Sequence, residues 1–222
     1  MAEVLELRQY TLRPGQRDVL IELFDREFVE TQEADGMAIL GQFRDLARPD
    51  RFVWLRGFAD LSTRAAALTA FYTGPAWRAH AAAANATMVD IDDVLMLRPE
   101  RGFGPFGARP AVGAPAPSSL VLATIYLGER PFGDGFSAFF AAEAVPELVS
   151  AGAAPLAWFS TEYAENDFPA LPVRTGEHAF VWFTRFASRA ALEGYAARPA
   201  AWEKPFTVQH LRLAPTGRSL LH

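Results

Sequence analysis

From Val4 to Leu12 apolar and polar residues alternate, and the run stops at Arg13-Pro14-Gly15, a strand ended by a turn. From Gln16 onward Leu20, Leu23, Phe24 and Phe28 recur at helical spacing as far as Asp35-Gly36, where glycine offers a left-handed stop. Residues 37–46 and 51–59 read as strands around the hairpin turn Arg48-Pro49-Asp50. Leu61, Ala65, Leu68 and Tyr72 then mark a helix with Asp60 or Ser62 as its cap. After Gly74-Pro75 a further helical piece runs to about residue 86, and residues 93–98 close the set as a strand. The order β-α-β-β-α-β is the ferredoxin-like arrangement.

The same pattern is then written again. Phe52-Val53-Trp54-Leu55-Arg56-Gly57-Phe58 returns as Phe180-Val181-Trp182-Phe183-Thr184-Arg185-Phe186, and Leu68, Phe71, Pro75 and Trp77 are echoed by Leu192, Tyr195, Pro199 and Trp202. Tyr10, Pro14 and Gly15 are matched by Tyr126, Pro131 and Gly133, and Leu95, Leu97 and Pro99 by Leu211, Leu213 and Pro215. A repeat of this kind sets the domain plan: a first ferredoxin-like unit over residues 1–100, a Pro/Gly-rich linker over 101–119, a second unit over 120–215 and a tail over 216–222. In the second unit strands are expected at 120–128, 156–164, 179–187 and 207–214, with helices at 136–148 and 188–197. Pro146 should kink or end the first of those helices. The segment 165–176 is a longer loop than its counterpart in the first unit and reads as a lid or rim over a barrel mouth. Asn166 and Arg174 are expected to hold it, with Phe168 and Leu171 buried.

A four-stranded sheet with both helices on one side leaves its other face bare, and two such faces in one chain can cover each other. The expected fold is therefore α+β, two ferredoxin-like units packed sheet to sheet around a common interior, with Trp54 and Trp182 in equivalent places. One strand parity carries Glu6, Arg8, Tyr10, Trp54 and Arg56 in the first unit and Leu122, Thr124, Tyr126, Trp182 and Thr184 in the second. The aromatic positions persist while the charges occur only in the first unit. If that parity faces the interior, a greasy cavity holds Glu6, Arg8 and Arg56 as its few polar groups, the usual character of a small-molecule site. The plainer alternative is that these charges pair with one another and seal the joint between units.

The composition is that of an ordinary globular chain, 50% hydrophobic and 21% charged, with a net charge of -5 that speaks against nucleic-acid or anionic-membrane partners. Without cysteine there is no disulfide, thiolate metal site or thiol nucleophile. The opening Met1-Ala2-Glu3-Val4 goes straight into a strand pattern and no apolar run is long enough to span a bilayer, so a cytoplasmic protein is expected.

Three motifs carry a family resemblance: Leu5-Glu6-Leu7-Arg8-Gln9-Tyr10 with Pro14-Gly15; the strand 52–58 followed by Arg64 and Trp77-Arg78; and Asn166-Asp167-Phe168-Pro169 with Leu171-Pro172-Val173-Arg174. Together these make the chain resemble a bacterial NIPSNAP family protein over both halves. The resemblance implies the dimeric α/β barrel superfamily, which includes cofactor-free antibiotic-biosynthesis monooxygenases, muconolactone isomerases and polyketide cyclases as well as haem enzymes such as the dye-decolourising peroxidases. It brings no established reaction, and the mitochondrial role of eukaryotic members is not carried over.

Further chemical signals are sparse. Gly102-Phe103-Gly104-Pro105-Phe106-Gly107 has a dinucleotide-like spacing but lies in the linker and opens no helix. None of His80, His178, His210 and His222 has a second histidine at ligand spacing, so no metal site is expected. His80, near Tyr72 and Arg78, reads as a general base, a haem ligand or a polar helix residue, and His210 on the last strand is similarly open. Asp90, Asp92 and Asp93 read as solvated charge.

Two function classes follow. In the enzyme reading the barrel binds a small aromatic or polyketide-like molecule and acts as a cofactor-free monooxygenase, isomerase or cyclase. Arg8 or Arg56 would stabilise an enolate, Tyr10, His80 or Glu6 would move a proton, and Trp54, Tyr126 and Trp182 would help to bind substrate. No cofactor is expected, with haem as the alternative. In the other reading the barrel is a non-enzymatic interaction or structural module. A homodimer through an exposed sheet edge or helix face is left open.

Overall fold

The computed structural model describes residues 2–100, 104, 106–197, 201–203 and 205–222. Part of the linker, including Arg101, Gly102, Phe103 and Pro105, and the repeat position Pro199 lie outside the described residues.

The first half runs β1 (Val4–Leu12), α1 (Arg17–Leu23), a π-helical segment (Phe24–Phe28), α2 (Val29–Ala34), β2 (Ala38–Asp45), β3 (Arg51–Phe58), α3 (Leu61–Thr73), α4 (Pro75–Thr87) and β4 (Met88–Pro99). The second runs β5 (Leu120–Gly128), α5 (Asp134–Phe139), a π-helical segment (Phe140–Ala144), α6 (Val145–Ser150), β6 (Pro155–Thr161), β7 (His178–Phe186), α7 (Arg189–Ala196), a 3₁₀ turn (Ala201–Glu203) and β8 (Thr207–Pro215). The capping chemistry follows the sequence: Asp60 and Ser188 each accept from the backbone N–H three residues on, Thr63 and Ala191. Gly36 and Gly152 end α2 and α6 at φ 97° and 74°, where a side chain would be strained.

Each half forms an antiparallel sheet of the same strand order, β4-β1-β3-β2 and β8-β5-β7-β6. The two join edge to edge through β2–β8 and β4–β6 into one closed eight-stranded barrel. The expected common interior is present, and closure joins both edges of each sheet over short seams, Phe43–Asp45 with Leu213–Pro215 and Leu97–Pro99 with Phe159–Thr161.

The parity expected to face that interior does not. Leu5, Leu7, Val53 and Leu55 join Val121, Ala123, Val181 and Leu211 in the core cluster shared by the two halves. Tyr10, Trp54, Phe52 and Phe58 instead pack with Leu20, Phe24, Phe28, Leu68 and Phe71 under the helices. The reason is volume: an eight-stranded barrel is just wide enough for side chains to fill, which suits Leu, Val and Ala, whereas indoles and guanidiniums need the deeper layer between sheet and helices. Glu6, Arg8, Tyr10, Trp54 and Arg56, and likewise Tyr126 and Trp182, therefore lie outside the barrel and beneath the helical cover. At one mouth the inward parity turns polar: Gln9 accepts from Arg51 at 2.7 Å and from Gln209 at 3.2 Å, and donates to Asp93 at 3.2 Å.

Pro146 does not kink its helix alone. The irregularity is the π-helical segment just before it, and the first half has one at the equivalent place with Glu30 where the second has Pro146. The feature belongs to the repeated backbone. It turns Phe24 onto Trp54, with ring centroids 4.9 Å apart, and Phe140 onto Trp182 at 5.2 Å. The tail is structural too: Leu221 N–H donates to Leu40 O and Thr216 N–H to Gln42 O, and Arg218 and Ser219 are buried.

Candidate functional site

On β1 and β3 the residues of outward parity sit opposite one another, Glu6 with Arg56 and Arg8 with Trp54. Glu6 accepts from Arg8 Nη1 at 2.6 Å and from Arg56 Nε at 2.7 Å through one oxygen, and from Arg64 Nε at 2.7 Å through the other. Arg64 comes down from the first turn of α3. Glu6, Arg8, Arg56 and Arg64 are all fully buried. Burial alone would push the Glu6 carboxyl up, but Arg56, Arg8 and Arg64 hold it well below the usual carboxylate range. Trp54 and Phe58 supply the bed for these cations: Arg56 lies 5.0 Å from the Trp54 ring, and Arg8 lies 5.7 Å from it.

A second carboxylate, Asp167 of the 165–176 loop, pairs with the Arg64 Nη1 atom. Three guanidiniums against Glu6 and Asp167 leave one positive charge in excess under the helices. Nη2 of Arg8 has no hydrogen-bond partner among the described residues, nor has Nε1 of Trp54 beside it. Arg8 Nε donates to the Tyr10 hydroxyl at 3.0 Å. Because that oxygen is already an acceptor, its own proton is free to donate elsewhere. Burial raises the Tyr10 hydroxyl pKa, more than Arg8 lowers it, so it stays protonated.

Tyr10 and Trp54 form the floor of a narrow cavity of about 60 Å³ walled by Phe24, Phe28, Phe71, Tyr72, Trp77, Met88, Ile91 and Leu171, with Gln32 and Asn85 as further polar residues. Among the described residues no carboxylate, imidazole or guanidinium lines it; Arg8 and Arg56, expected in the lining, lie against the Trp54 ring instead. Leu171 comes from the second half. The long loop thus reaches over the helix–sheet layer of the first half, where Phe168 stacks on Tyr72 at 6.0 Å. It was expected over the barrel mouth, and only its end is there, Arg174 reaching Asp93 at 3.2 Å. The expected fastening by Asn166 and Arg174 is present: Asn166 Nδ2 donates to Leu171 O at 2.9 Å, and Arg174 N–H donates to Val94 O.

The structure brings Glu6, Arg8, Tyr10, Trp54 and Arg56 together and separates the rest. His80 lies on the outer side of α4, half-buried, 3.3 Å from Glu27 and edge-on to Phe28, and it does not line the cavity. Tyr126 and Trp182 occupy the corresponding layer of the second half. There Tyr126 donates to Glu203 at 2.9 Å and accepts from Trp202 Nε1 at 3.0 Å, within a packed set of Phe132, Phe136, Phe140, Phe180 and Phe206. His210 is partly buried there, and burial followed by Arg212 lowers its pKa. In the sequence Arg64 and Asp167 stand out only as motif residues. The signal for Arg64 was its place one turn after the Asp60 cap, four residues along.

Residues 5–100 match the NIPSNAP family model. No curated protein matches the chain. Among solved structures, a candidate monooxygenase from Fusobacterium nucleatum is 8% identical, with 97% of this chain and 93% of that one covered at a TM-score of 0.56. A candidate monooxygenase from Lactobacillus acidophilus is 14% identical, with both chains fully covered at 0.54. These likenesses show a shared fold, a tandem pair of ferredoxin-like units closed into a dimeric α/β barrel. An uncharacterised NIPSNAP-like domain protein from Burkholderia xenovorans is 24% identical and covers 47% of this chain and 90% of its own, at 0.41. The family match is thus to the first half of the chain, whose residues 5–100 form a NIPSNAP domain.

Proposed function

We propose that the first half of the chain binds a small aromatic or polyketide-like molecule carrying an acidic or enolic oxygen, in the cavity above Tyr10 and Trp54. The observation that carries this reading is the combination, in one layer, of an aromatic cavity with an arginine cluster that holds one positive charge in excess. Its unspent donors are Arg8 Nη2 and the Tyr10 hydroxyl. Such donors favour an anion over its neutral form, in a bound ligand or in a transition state where charge develops on oxygen.

The geometry narrows the chemistry. Glu6 is spent on three arginines and His80 stands away from the cavity, so neither supports the role of general base. Tyr10, held protonated, suits hydrogen-bond donation to an enolate or carboxylate. Reactions of a molecule that ionises readily, as in cofactor-free oxygenation or cyclisation of a phenolic or polyketide acid, fit better than abstraction of an unactivated proton. The fold shared with candidate monooxygenases is in keeping with this.

Binding of a panel of phenolic and polyketide-like acids, followed by quenching of tryptophan fluorescence, tests the proposal. Arg8→Ala should weaken binding by about 1.5 to 3 kcal/mol, the worth of a charge-assisted bond, whereas Thr124→Ala, at the matching position of the second half, should change it little. Equal effects in two variants that both remain folded would put the non-enzymatic interaction reading in front.

A further inference from the structure

We propose that the segment around residues 166–171 is a flap latched by Asp167 onto Arg64, and that an anionic ligand takes over the counter-charge role of Asp167 as the flap lifts. This inference rests on the ligand site proposed above and adds how that site opens and what charge it selects.

Size comes first. A cavity of about 60 Å³ is well below the roughly 150 Å³ that accommodates a benzene ring. A ligand of the proposed class enters only if a wall moves. Most of the walls belong to strands and helices pinned by the barrel and the core. Leu171 is the exception, since it sits on a loop.

The loop is built to move as a piece. Asn166 Nδ2 donates to Leu171 O, Phe168 N–H to Asn166 Oδ1 and Leu171 N–H to Phe168 O, so this turn is held chiefly by its own bonds. It is tethered at both ends, where Glu162 N–H donates to Met96 O and Arg174 N–H to Val94 O. Between these anchors its contacts with the first half include the Asp167–Arg64 ion pair, Phe168 on Tyr72, and Leu171 in the cavity wall. The loop also borders open space: Asn166, Pro169 and Pro172 line a separate cleft of about 470 Å³. A swing toward that cleft withdraws Leu171 and opens the cavity.

Charge supplies the trigger. While Asp167 is in place the cluster carries one excess positive charge, and when the flap lifts it carries two, with Arg64 short of a partner. Unpaired buried charge is costly, so the open state is populated when an anion arrives to compensate. A neutral ligand of the same shape gives no such compensation.

The test pairs 4-hydroxybenzoate with its methyl ester on the full chain and on Asp167→Asn, which keeps the shape of the side chain and removes its charge. Without ligand, Asp167→Asn should speed hydrogen exchange at the Phe168 and Leu171 amides severalfold and leave the barrel strands unchanged. Unchanged exchange in the loop would overturn the latch whatever the ligand results are. With ligand, the substitution should raise affinity for the acid on the order of tenfold, by removing a competing carboxylate, and affinity for the ester much less. Equal gains for acid and ester would overturn the anion exchange and leave a flap without charge selection. If neither compound, nor any member of the phenolic panel, binds either protein, the proposed ligand site itself fails, while the exchange measurement still decides the latch.

Discussion

The two halves share strand order, caps, left-handed glycines and a π-helical segment at the same place, yet fill the layer under their helices in opposite ways. Aligned on their caps, α3 and α7 set Arg64 against Leu192, one helical turn away from the Leu68–Leu192 match that sequence alone favours. Glu6 and Arg56 then correspond to Leu122 and Thr184. Where the first half buries its carboxylate and arginines, the second packs Leu122, Ala153, Phe186 and Leu192. Where the first half leaves a cavity over Tyr10, the second inserts Phe136, Phe206 and Trp202 around Tyr126. An unpartnered tryptophan Nε1 occurs in both, so it does not distinguish them. Among the described residues, the charges and the packing around the tyrosine do. One copy of the fold stands without this cluster, so the fold does not require it, and buried ion clusters are seldom retained for stability alone.

The largest effect is expected from breaking the cluster one residue at a time. Glu6→Gln removes the carboxylate facing three buried guanidiniums and should cost about 3 to 5 kcal/mol in chemical denaturation, the usual penalty for stranding buried charge. Giving the first half the second half's residues together, Glu6→Leu, Arg8→Thr, Arg56→Thr and Arg64→Leu, should restore most of that stability while abolishing acid binding. If the fourfold variant is as unstable as Glu6→Gln, the cluster is a structural element of the first half and the comparison loses its functional meaning. The Glu6 contribution also has a pH signature. Its folded-state pKa lies below the ordinary 4.5, so the stabilisation is present above that value and is lost as pH falls below it.

Much of this architecture was legible in the chain. The alternation in 4–12 and 120–128, the hairpin at Arg48-Pro49-Asp50 and the repeated Phe-Val-Trp strand specify two ferredoxin-like units, because period and turn chemistry are local properties. Parity was not legible. Both faces of β3 are apolar, Val53 and Leu55 on one and Phe52 and Trp54 on the other, since one faces the barrel and the other the helices. Only the barrel's narrow radius decides which set goes inside. The loop's destination was hidden for a similar reason: Asp167 finds Arg64 across 103 positions of chain, and no local pattern announces so distant a contact.

A medium effect comes from the paired tyrosines. Tyr126 both donates to Glu203 and accepts from Trp202, so Tyr126→Phe removes a hydrogen bond from a buried carboxylate and leaves the Trp202 indole N–H without its acceptor, and should cost about 1 to 3 kcal/mol of stability. Tyr10 accepts from Arg8 alone. Tyr10→Phe should therefore cost less in thermal unfolding, about 1 kcal/mol, and show its main effect in weakened binding of phenolic acids. Swapped outcomes, with Tyr126 governing binding and Tyr10 governing stability, would move the ligand site to the second half.

The smallest effect concerns a third asymmetry. Counting back from Gly36 and Gly152, Asp25 in the first half corresponds to Ala141 in the second. Asp25 lies under the tail, where Arg218 donates to its backbone oxygen and to the Glu30 carboxylate, and its own Oδ1 has no partner among the described residues. Burial raises the Asp25 carboxyl from 3.8 to about 6, against the pull of Arg218. An acid whose pKa is raised on folding keeps its proton better in the folded chain, so this group weakens the fold as pH rises from about 4 to about 6, and the cost is fully present at pH 7. Asp25→Asn removes the titration. Discounted for partial exposure, the gain at pH 7 should be about 1 kcal/mol, shrinking toward nothing at pH 4. Denaturation midpoints of both proteins at the two pH values measure it. A gain that stays constant with pH would mean that the side chain's shape, rather than its charge, sets Asp25 apart from Ala141.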